Sequence, residues 1–378
     1  MKRVARLAVG LMSGTSADGI SAALVRFENR RFRIIAYRTQ AYSPSFSATL
    51  RRGPTLSARE VSHLHVALGE KLAQASLSLL HSVKVAPERV TVIGSHGHTL
   101  YHGPKDRIAS TFQIGEPAII AHRTGIAVVA NFRTRDIAAG GEGAPLVPYF
   151  DKVFFGLGPP RALQNIGGIA NVAVVGQNLK TLAFDTGPGN CLIDSIAQKL
   201  SQGRLRYDPQ GRLARGGRID HSAIRRLWRF SFFHRPPPKS TGREWFSEKW
   251  IAQHLSRKRL RPSKDLLATL TYFTAYSIAE SYRAFVPDRL AQVIVSGGGV
   301  RNHTLMHHLR ELLAPLPVRT IEDYGVPAQA KEPIAFAFLA LRAFQGRINH
   351  LPETTGARRA CVLGSITPGS APFAFHDT

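Results

Sequence analysis

Asp185 stands in the segment LAFDTGPGN, where an apolar run is expected to form a strand and Gly187, Pro188 and Gly189 a loop that opens a helix. That is the usual address of a reacting carboxylate in α/β proteins. One positioned carboxylate can take the proton of an attacking hydroxyl or water, while other groups handle phosphate charge. The alternative is that Asp185 caps the helix that follows. Three Gly-rich turns, MSGTSADG, NIGGIAN and SGGGVRN, each follow an apolar run. Without a Cβ, backbone N–H groups approach phosphate oxygens closely. The hydroxyls of Ser13, Thr15 and Ser16 beside Asp18 suit phosphates and Mg²⁺. None of the turns fits GxxxxGK[ST] or GxGxxG, so neither a P-loop nor a dinucleotide fingerprint is present. Taken singly, each is an ordinary tight turn.

His96, His98 and His102 lie close together, with His63 and His65 upstream. HxH spacing can bind zinc, but no Cys accompanies these residues, and Gly97 and Gly103 point to a turn in which they would meet a polar ligand by hydrogen bonding. In FRTRD, Arg133, Arg135 and Asp136 follow a strand, so a guanidinium there could clamp a carboxylate or phosphate. A surface ion-pair cluster is the competing reading.

The elements that must hold these residues follow from periodicity. Residues 6–27 read as a hairpin, two apolar runs around a Gly-rich tip, and about 155 residues later ALQNIGGIANVAVVG repeats the pattern. A further strand is expected over 181–184. Two such hairpins, each opening a region of similar size, imply internal duplication with the tips facing across a cleft. Helices are expected over 57–83, 192–200, 264–285, 305–313 and 335–344. Strands are expected at VTVIGSH, ending on a polar turn, at GIAVVANF, and over 292–295. Strands alternating with helices make the class α/β with mixed or largely parallel sheets.

With 378 residues, the chain exceeds the usual size of one core, so two domains are expected, 1–140 and 141–345, with a segment of about 346–378 packing back on the first. Lys2, Arg3 and Arg6 precede a short apolar run that Ser13 to Ser16 interrupt, which fits a strand entering a turn rather than a secretory signal. No apolar stretch is long enough to span a bilayer. Cys191 and Cys361 form no framework, fit a reduced cytosol, and read as small core residues. The formal charge is +25, and 204–261 alone carries sixteen Lys or Arg against four acids. Such a balance favours anionic partners, yet no zinc-finger, basic-zipper or RNA-recognition pattern organises it. A solvated basic face is expected, without nucleic-acid or membrane binding.

In order, MSGTSADGI, GSHGHT, FQIGE, NFRTRDIAAGGEGAPLVP, QNIGGIANV, FDTGPGN, PPKSTGRE, SGGGVRN and TTGA resemble the anhydro-N-acetylmuramic acid kinases over nearly the whole chain. The resemblance implies two duplicated actin-like, ribonuclease H-like domains with a nucleotide cleft between them, in a cytoplasmic homodimer. It implies ATP and Mg²⁺ as cofactors and an amino-sugar substrate, 1,6-anhydro-N-acetylmuramic acid. Water would open that sugar at C1 while O6 receives the γ-phosphate, in recycling of peptidoglycan fragments. By similarity Asp185 is the base. Gly14, Thr15, Ser16, Ala17, Asp18, Gly19, Ile20 and Ser21 would cradle phosphates, joined by Gly167, Gly168 and Asn171, with Asp18 on Mg²⁺ through water. Gly297, Gly298, Gly299 and Asn302 would lie by the adenosine, and His98, Arg133, Asp136, Gly187 and Glu332 by the sugar. The family pattern has Leu and Asp where this chain has Ala17 and Ser21, and Gln where it has His98. These departures leave room for a kinase of a different sugar, or for a relative that binds ATP without turnover.

Overall fold

The computed structural model describes residues 5–370 apart from 243–244, 257–259 and 287–288. Lys2, Arg3, four basic residues of 204–261 (Arg243, Arg257, Lys258 and Arg259), Glu244 of PPKSTGRE and the last eight residues therefore lie outside the described residues. The chain divides into two compact units, Met1–Phe154 with Ala330–Thr378, and Phe155–Gln329.

In the first unit, β1 (Arg6–Ser13), β2 (Gly19–Glu28) and β3 (Arg31–Ala41) run antiparallel. Next come β4 (Val90–Gly103), parallel to β1, β5 (Ser110–Ile114), antiparallel to β4, and β6 (Val128–Ala130), parallel to β4. The second unit repeats the plan. There β7 (Arg161–Ile166), β8 (Ile169–Val175) and β9 (Leu182–Pro188) are antiparallel, β10 (Gln292–Ser296) is parallel to β7, and β11 (Val318–Thr320) is parallel to β10. The orders β3-β2-β1-β4-β6 and β9-β8-β7-β10-β11 correspond strand for strand, so the duplication expected from the hairpins is present and the class is α/β with two mixed sheets. A last strand, β12 (Ser365–Thr367), pairs with β6.

The helix Ala58–Ser82 starts in a capping box, in which Ser57 accepts from the Glu60 N–H and the Glu60 carboxylate reaches back to the Ser57 N–H. Its Leu64, Leu68, Leu72 and Leu79, at helical spacing, pack with Val9, Leu11, Leu24 and Ile93 of the sheet. The second core is built around Lys264–Phe285, whose Leu267, Leu270, Phe273 and Ile278 are fully buried.

Two local expectations are corrected. VTVIGSH does not end on a turn: β4 continues to Gly103 because β5 pairs with its outer half, and Gly97, at φ 68, sits in a bulge where β4 carries one residue more than β1. FRTRD follows a strand, β6, as expected, and lies on a short helix, Phe132–Ala138, entered through Asn131 at φ 55. The cysteines are free but partly exposed rather than core.

The helix Lys331–Phe344 lies directly on the first sheet because two paired glycines, Gly10 and Gly94, leave a groove for it. A Cβ on Gly10 would stand 1.7 Å from the Pro333 carbonyl oxygen, and one on Gly94 2.2 Å from that of Phe336. Backbone meets backbone there, so no rotamer change relieves the clash. Gly10→Ala and Gly94→Ala should each lower unfolding free energy by about 3 kcal/mol, the upper range for overpacking, seen as a drop in the urea midpoint. An unchanged midpoint would contradict this seating of the helix.

Candidate active site

Asp185 does not end its strand. It sits within β9 at a bulge, since Asn171 pairs with Asp185 and the next residue, Ala170, pairs with Gly187, leaving Thr186 as the extra residue. Bulges re-aim side chains. The Asp185 N–H donates to the Lys239 carbonyl at 3.0 Å, and the Thr241 N–H donates to Asp185 Oδ2 at 2.8 Å. Below it, buried Gln164 donates to the Asn171 carbonyl and to Thr186 Oγ1 and accepts from Tyr282. Thr274 Oγ1 donates to the Gly189 carbonyl, so the Lys264–Phe285 helix fixes the backbone beyond Asp185.

The second hairpin tip is bound to the start of the helix Cys191–Leu200. Gly167 accepts from Asn190 N–H at 2.8 Å, and Gly168 accepts from Gly189 and Cys191 at 2.9 and 3.1 Å. Gly189 has no room for a Cβ, which would lie 2.2 Å from the Gly167 oxygen. Gly187, at φ 135, faces Phe233. From β10, Gly297, at φ 87, packs on Asn165 and Ile166, and Gly299 packs on Ile166. Asn302 is buried and its side chain caps the helix His303–Leu313 by accepting from Leu305 N–H at 3.0 Å.

Three other glycines carry no such demand. A Cβ on Gly14, Gly167 or Gly298 would meet nothing nearer than 3.5 Å, and none has a positive φ. Each belongs to a different one of the three Gly-rich turns. The space beside Gly298 is bounded by the amides of Asn190 and Gln329.

In the first unit the hairpin tip is a turn closed by Ala17 N–H on the Gly14 carbonyl at 2.9 Å, with Ala17 at φ 53. Ser47 Oγ donates to the Ala17 carbonyl at 2.6 Å, and exposed Arg51 holds the Ser16 carbonyl at 3.2 Å and Asp18 Oδ1 at 3.3 Å. Gly19 lies against the Gln40 carbonyl, which accounts for its lack of a side chain. Ser21 Oγ lies near Thr39 and Tyr37 on β3. Buried Ser13 is shared by Tyr42, which donates to it at 2.8 Å, and by His98 Nδ1 at 3.0 Å. Burial lowers the His98 pKa against its hydrogen bonds to Ser13 and Gly14, and raises that of Tyr42.

Arg133 Nε donates to His96 Nε2 at 3.0 Å, and its Nη1 donates to the Gly143 carbonyl at 2.9 Å. His96 is therefore a neutral acceptor, consistent with burial and the nearby guanidinium holding its pKa well below the usual value. Burial pulls Arg133 down to about 10, opposed by Glu332 and Asp136, so it remains a cation at neutral pH. Glu332 is solvent-accessible at its rim, yet its packed surroundings raise its carboxyl pKa despite Arg133 and Lys331. Asp136 is wholly buried. Its oxygens accept from Gly143 N–H and Thr355 Oγ1, both at 2.7 Å, and face His350 Nδ1 at 2.8 Å. Burial raises its pKa, but hydrogen bonds from His350, Thr355 and Gly143 outweigh it, leaving the carboxyl below its ordinary value.

Within the first unit, then, His98 joins the hairpin tip, and Arg133 joins His96 and Glu332. Within the second, Asp185, Gly187, the 167–168 tip and the 297–299 turn converge. Asp136 and Asn302 are enclosed by their own units. Lys239, Thr241, Asn190 and Gln329 also border the site and were not singled out from sequence, although PPKSTGRE and FDTGPGN contain the first three. Among the described residues the side chains grouped closely enough for one metal ion are His307, His308 and Glu311, so the histidines 63, 65, 96, 98 and 102 form no such cluster. No described helix is long and apolar enough to cross a membrane.

A family model described as anhydro-N-acetylmuramic acid kinase matches residues 6–369. A protein of that name from Caldanaerobacter subterraneus subsp. tengcongensis is 40% identical over 96% of this chain and 97% of its own length. One from Bacillus cereus is 40% identical over 95% of this chain and 98% of its own. Among solved structures, component A of the (R)-2-hydroxyglutaryl-CoA dehydratase of Acidaminococcus fermentans aligns over 90% of this chain and 99% of its own, at 11% identity and a TM-score of 0.46. On the family match and the two relatives, this chain belongs to the anhydro-N-acetylmuramic acid kinase family.

Proposed function

We propose that this kinase converts 1,6-anhydro-N-acetylmuramic acid, water and ATP into N-acetylmuramic acid 6-phosphate and ADP. The observation that carries the reading is Asp185, a carboxylate at a β-bulge oriented by the Thr241 N–H, in a chain that matches the family from end to end. Asp185 takes a proton from the water that attacks C1. The C1–O6 bond breaks, and O6 takes the phosphoryl group.

Binding of ATP is supported by the three glycines whose missing Cβ neither backbone angle nor packing requires, Gly14, Gly167 and Gly298. Their turns offer N–H groups to phosphate oxygens. Mg²⁺, when bound, neutralises phosphate charge, and Asp18 is the carboxylate of the first tip that would hold it through water, sharing it with Arg51. Arg133 and Glu332 are offered to the sugar, the guanidinium suiting its lactyl carboxylate. Asp136 and Asn302 act by holding their loops. We assign the enzyme to the cytoplasm, as a homodimer, in peptidoglycan recycling.

A kinase of another sugar is favoured by one observation: His98 spends its Nδ1 on Ser13, and Ser21 lies with Tyr37 and Thr39. A panel of sugars decides between the two. Purified protein with Mg-ATP should release ADP only when the anhydro-sugar is added, and Asp185→Asn should lower kcat by at least about 10³-fold, because the base is lost. ADP release with another sugar alone would overturn the substrate assignment.

Gly298→Ala should melt within about 1 kcal/mol of the parent, or slightly higher through loss of unfolded-state entropy, while weakening ATP at least tenfold. Gly297→Ala should destabilise outright. Calorimetry and nucleotide titration separate the two, and full ATP affinity in stable Gly298→Ala would remove that turn from the nucleotide site.

A further inference from the structure

Among the described residues Lys239 is the buried lysine of the second unit, and nothing in the reaction calls for it directly. The residue is 8% exposed. Its Nζ donates to the carbonyls of Phe233 at 3.1 Å and Phe232 at 3.4 Å. Three aromatic rings surround the same nitrogen, with centroids at 4.4 Å for Phe285, 5.0 Å for Phe232 and 5.7 Å for Phe184. A cation held in this way gains from carbonyl dipoles and ring faces. It points into the protein, so it cannot reach a phosphate.

What it can reach is the geometry of Asp185, through two routes. Phe184, one of its rings, is the residue before Asp185 on β9. The backbone of Lys239 accepts the Asp185 N–H at 3.0 Å, and two residues later the Thr241 N–H grips Asp185 Oδ2 at 2.8 Å. The segment 239–241 has no helix or strand of its own to fix it. Its lysine side chain is therefore an anchor that helps set where those two backbone groups stand.

Resting on the reading of Asp185 as the base, we infer that Lys239 is a positioning residue, which pins the 239–241 segment so that the Thr241 N–H aims the Asp185 carboxylate. The long-range charge supports the same link. Burial brings the Lys239 ammonium down to about 8, and the negative charge of Asp185 is what resists that fall.

The test is a double-mutant cycle on the full chain, with anhydro-sugar-dependent ADP release as the readout. Lys239→Met keeps the length of the side chain and removes charge and donors. The uncharged side chain avoids the cost of burying a charge but leaves the Phe232 and Phe233 carbonyls without this donor, so the variant's melting temperature should stay close to that of the parent. Its kcat should nevertheless fall about 10–100-fold with both KM values within twofold. In the Asp185→Asn background the same change should leave the residual rate unaltered, because the residue acts only through Asp185. Should Lys239→Met not fold, Lys239→Gln, which keeps amide donors for the two carbonyls, carries the same cycle. Parent-like kcat in either folded variant, or an effect that simply adds to that of Asp185→Asn, would overturn the inference. Absence of sugar-dependent turnover in the parent would instead overturn the reading on which it rests.

Discussion

The structure depends on backbone packed against backbone at positions where no Cβ can exist. In the second unit Gly189 touches the Gly167 oxygen and Gly297 touches the Ile166 oxygen, and by these contacts the hairpin tip, the loop after Asp185 and the turn after β10 are brought into one place. In the first unit Gly10 and Gly94 seat the Lys331–Phe344 helix, whose second residue is Glu332. A larger side chain at any of them would force the packed backbone apart, and positioning of reacting groups does not survive such shifts. Precision in each site thus follows from what the chain leaves out at a few residues.

Charge inside the first unit is governed by how many donors a carboxylate can recruit. Asp136 and Asp151 are equally buried. Asp136 accepts from a backbone amide and a hydroxyl and faces the His350 imidazole, and these together outweigh desolvation. Asp151 has Lys331 at 2.9 Å on one oxygen while its other oxygen lacks a partner among the described residues, and desolvation prevails there. One ion pair does not offset the removal of a carboxylate from water, whereas two directed hydrogen bonds with an imidazole alongside do. The difference fits their places. Asp136 ties the 133–143 segment to the C-terminal stretch 350–361, so it must stay an acceptor. Asp151 has only to anchor the first turn of the helix that carries Glu332.

Elements with strong periodicity were legible in the sequence. The two hairpins, the Lys264–Phe285 helix and the capped helix after Ser57 are found within a residue or two of where apolar spacing puts them. Features set by pairing between distant segments were not. The outer half of β4 reads as a turn because Gly97 and Gly103 flank histidines, and only β5 makes it a strand. The bulge that aims Asp185 depends on how β8 meets β9, which no local pattern announces. Among candidate site residues, the long motifs marked segments but not orientations. They did not distinguish a side chain that faces outward, such as Glu332, from one consumed within its unit, such as Asp136 or the capping Asn302. That distinction comes from hydrogen-bond partners supplied by Thr355, Gly143 and Leu305, residues that look unremarkable in the chain.

The duplicated plan has been put to two different uses, and the divergence is clearest at equivalent strands. β4 and β10 both lie parallel to the first strand of their sheet, and each carries a buried serine, Ser95 and Ser296, whose hydroxyl lacks a partner among the described residues. After Ser296 the chain leaves the sheet at once through Gly297, so the second unit presents bare backbone, suited to binding oxygen atoms of a phosphate or nucleoside without regard to side-chain charge. After Ser95 the strand bulges and continues, carrying His96 and His98 into contact with Arg133 and Ser13, so the first unit presents directional side chains. A turn of glycines recognises a charge and a shape, whereas imidazole and guanidinium groups discriminate among hydroxyl patterns and carboxylates. From one sheet order, then, the second unit offers bare backbone at the turn after β10, and the first offers side chains along β4, with His98 bonded to Ser13 at the first Gly-rich turn.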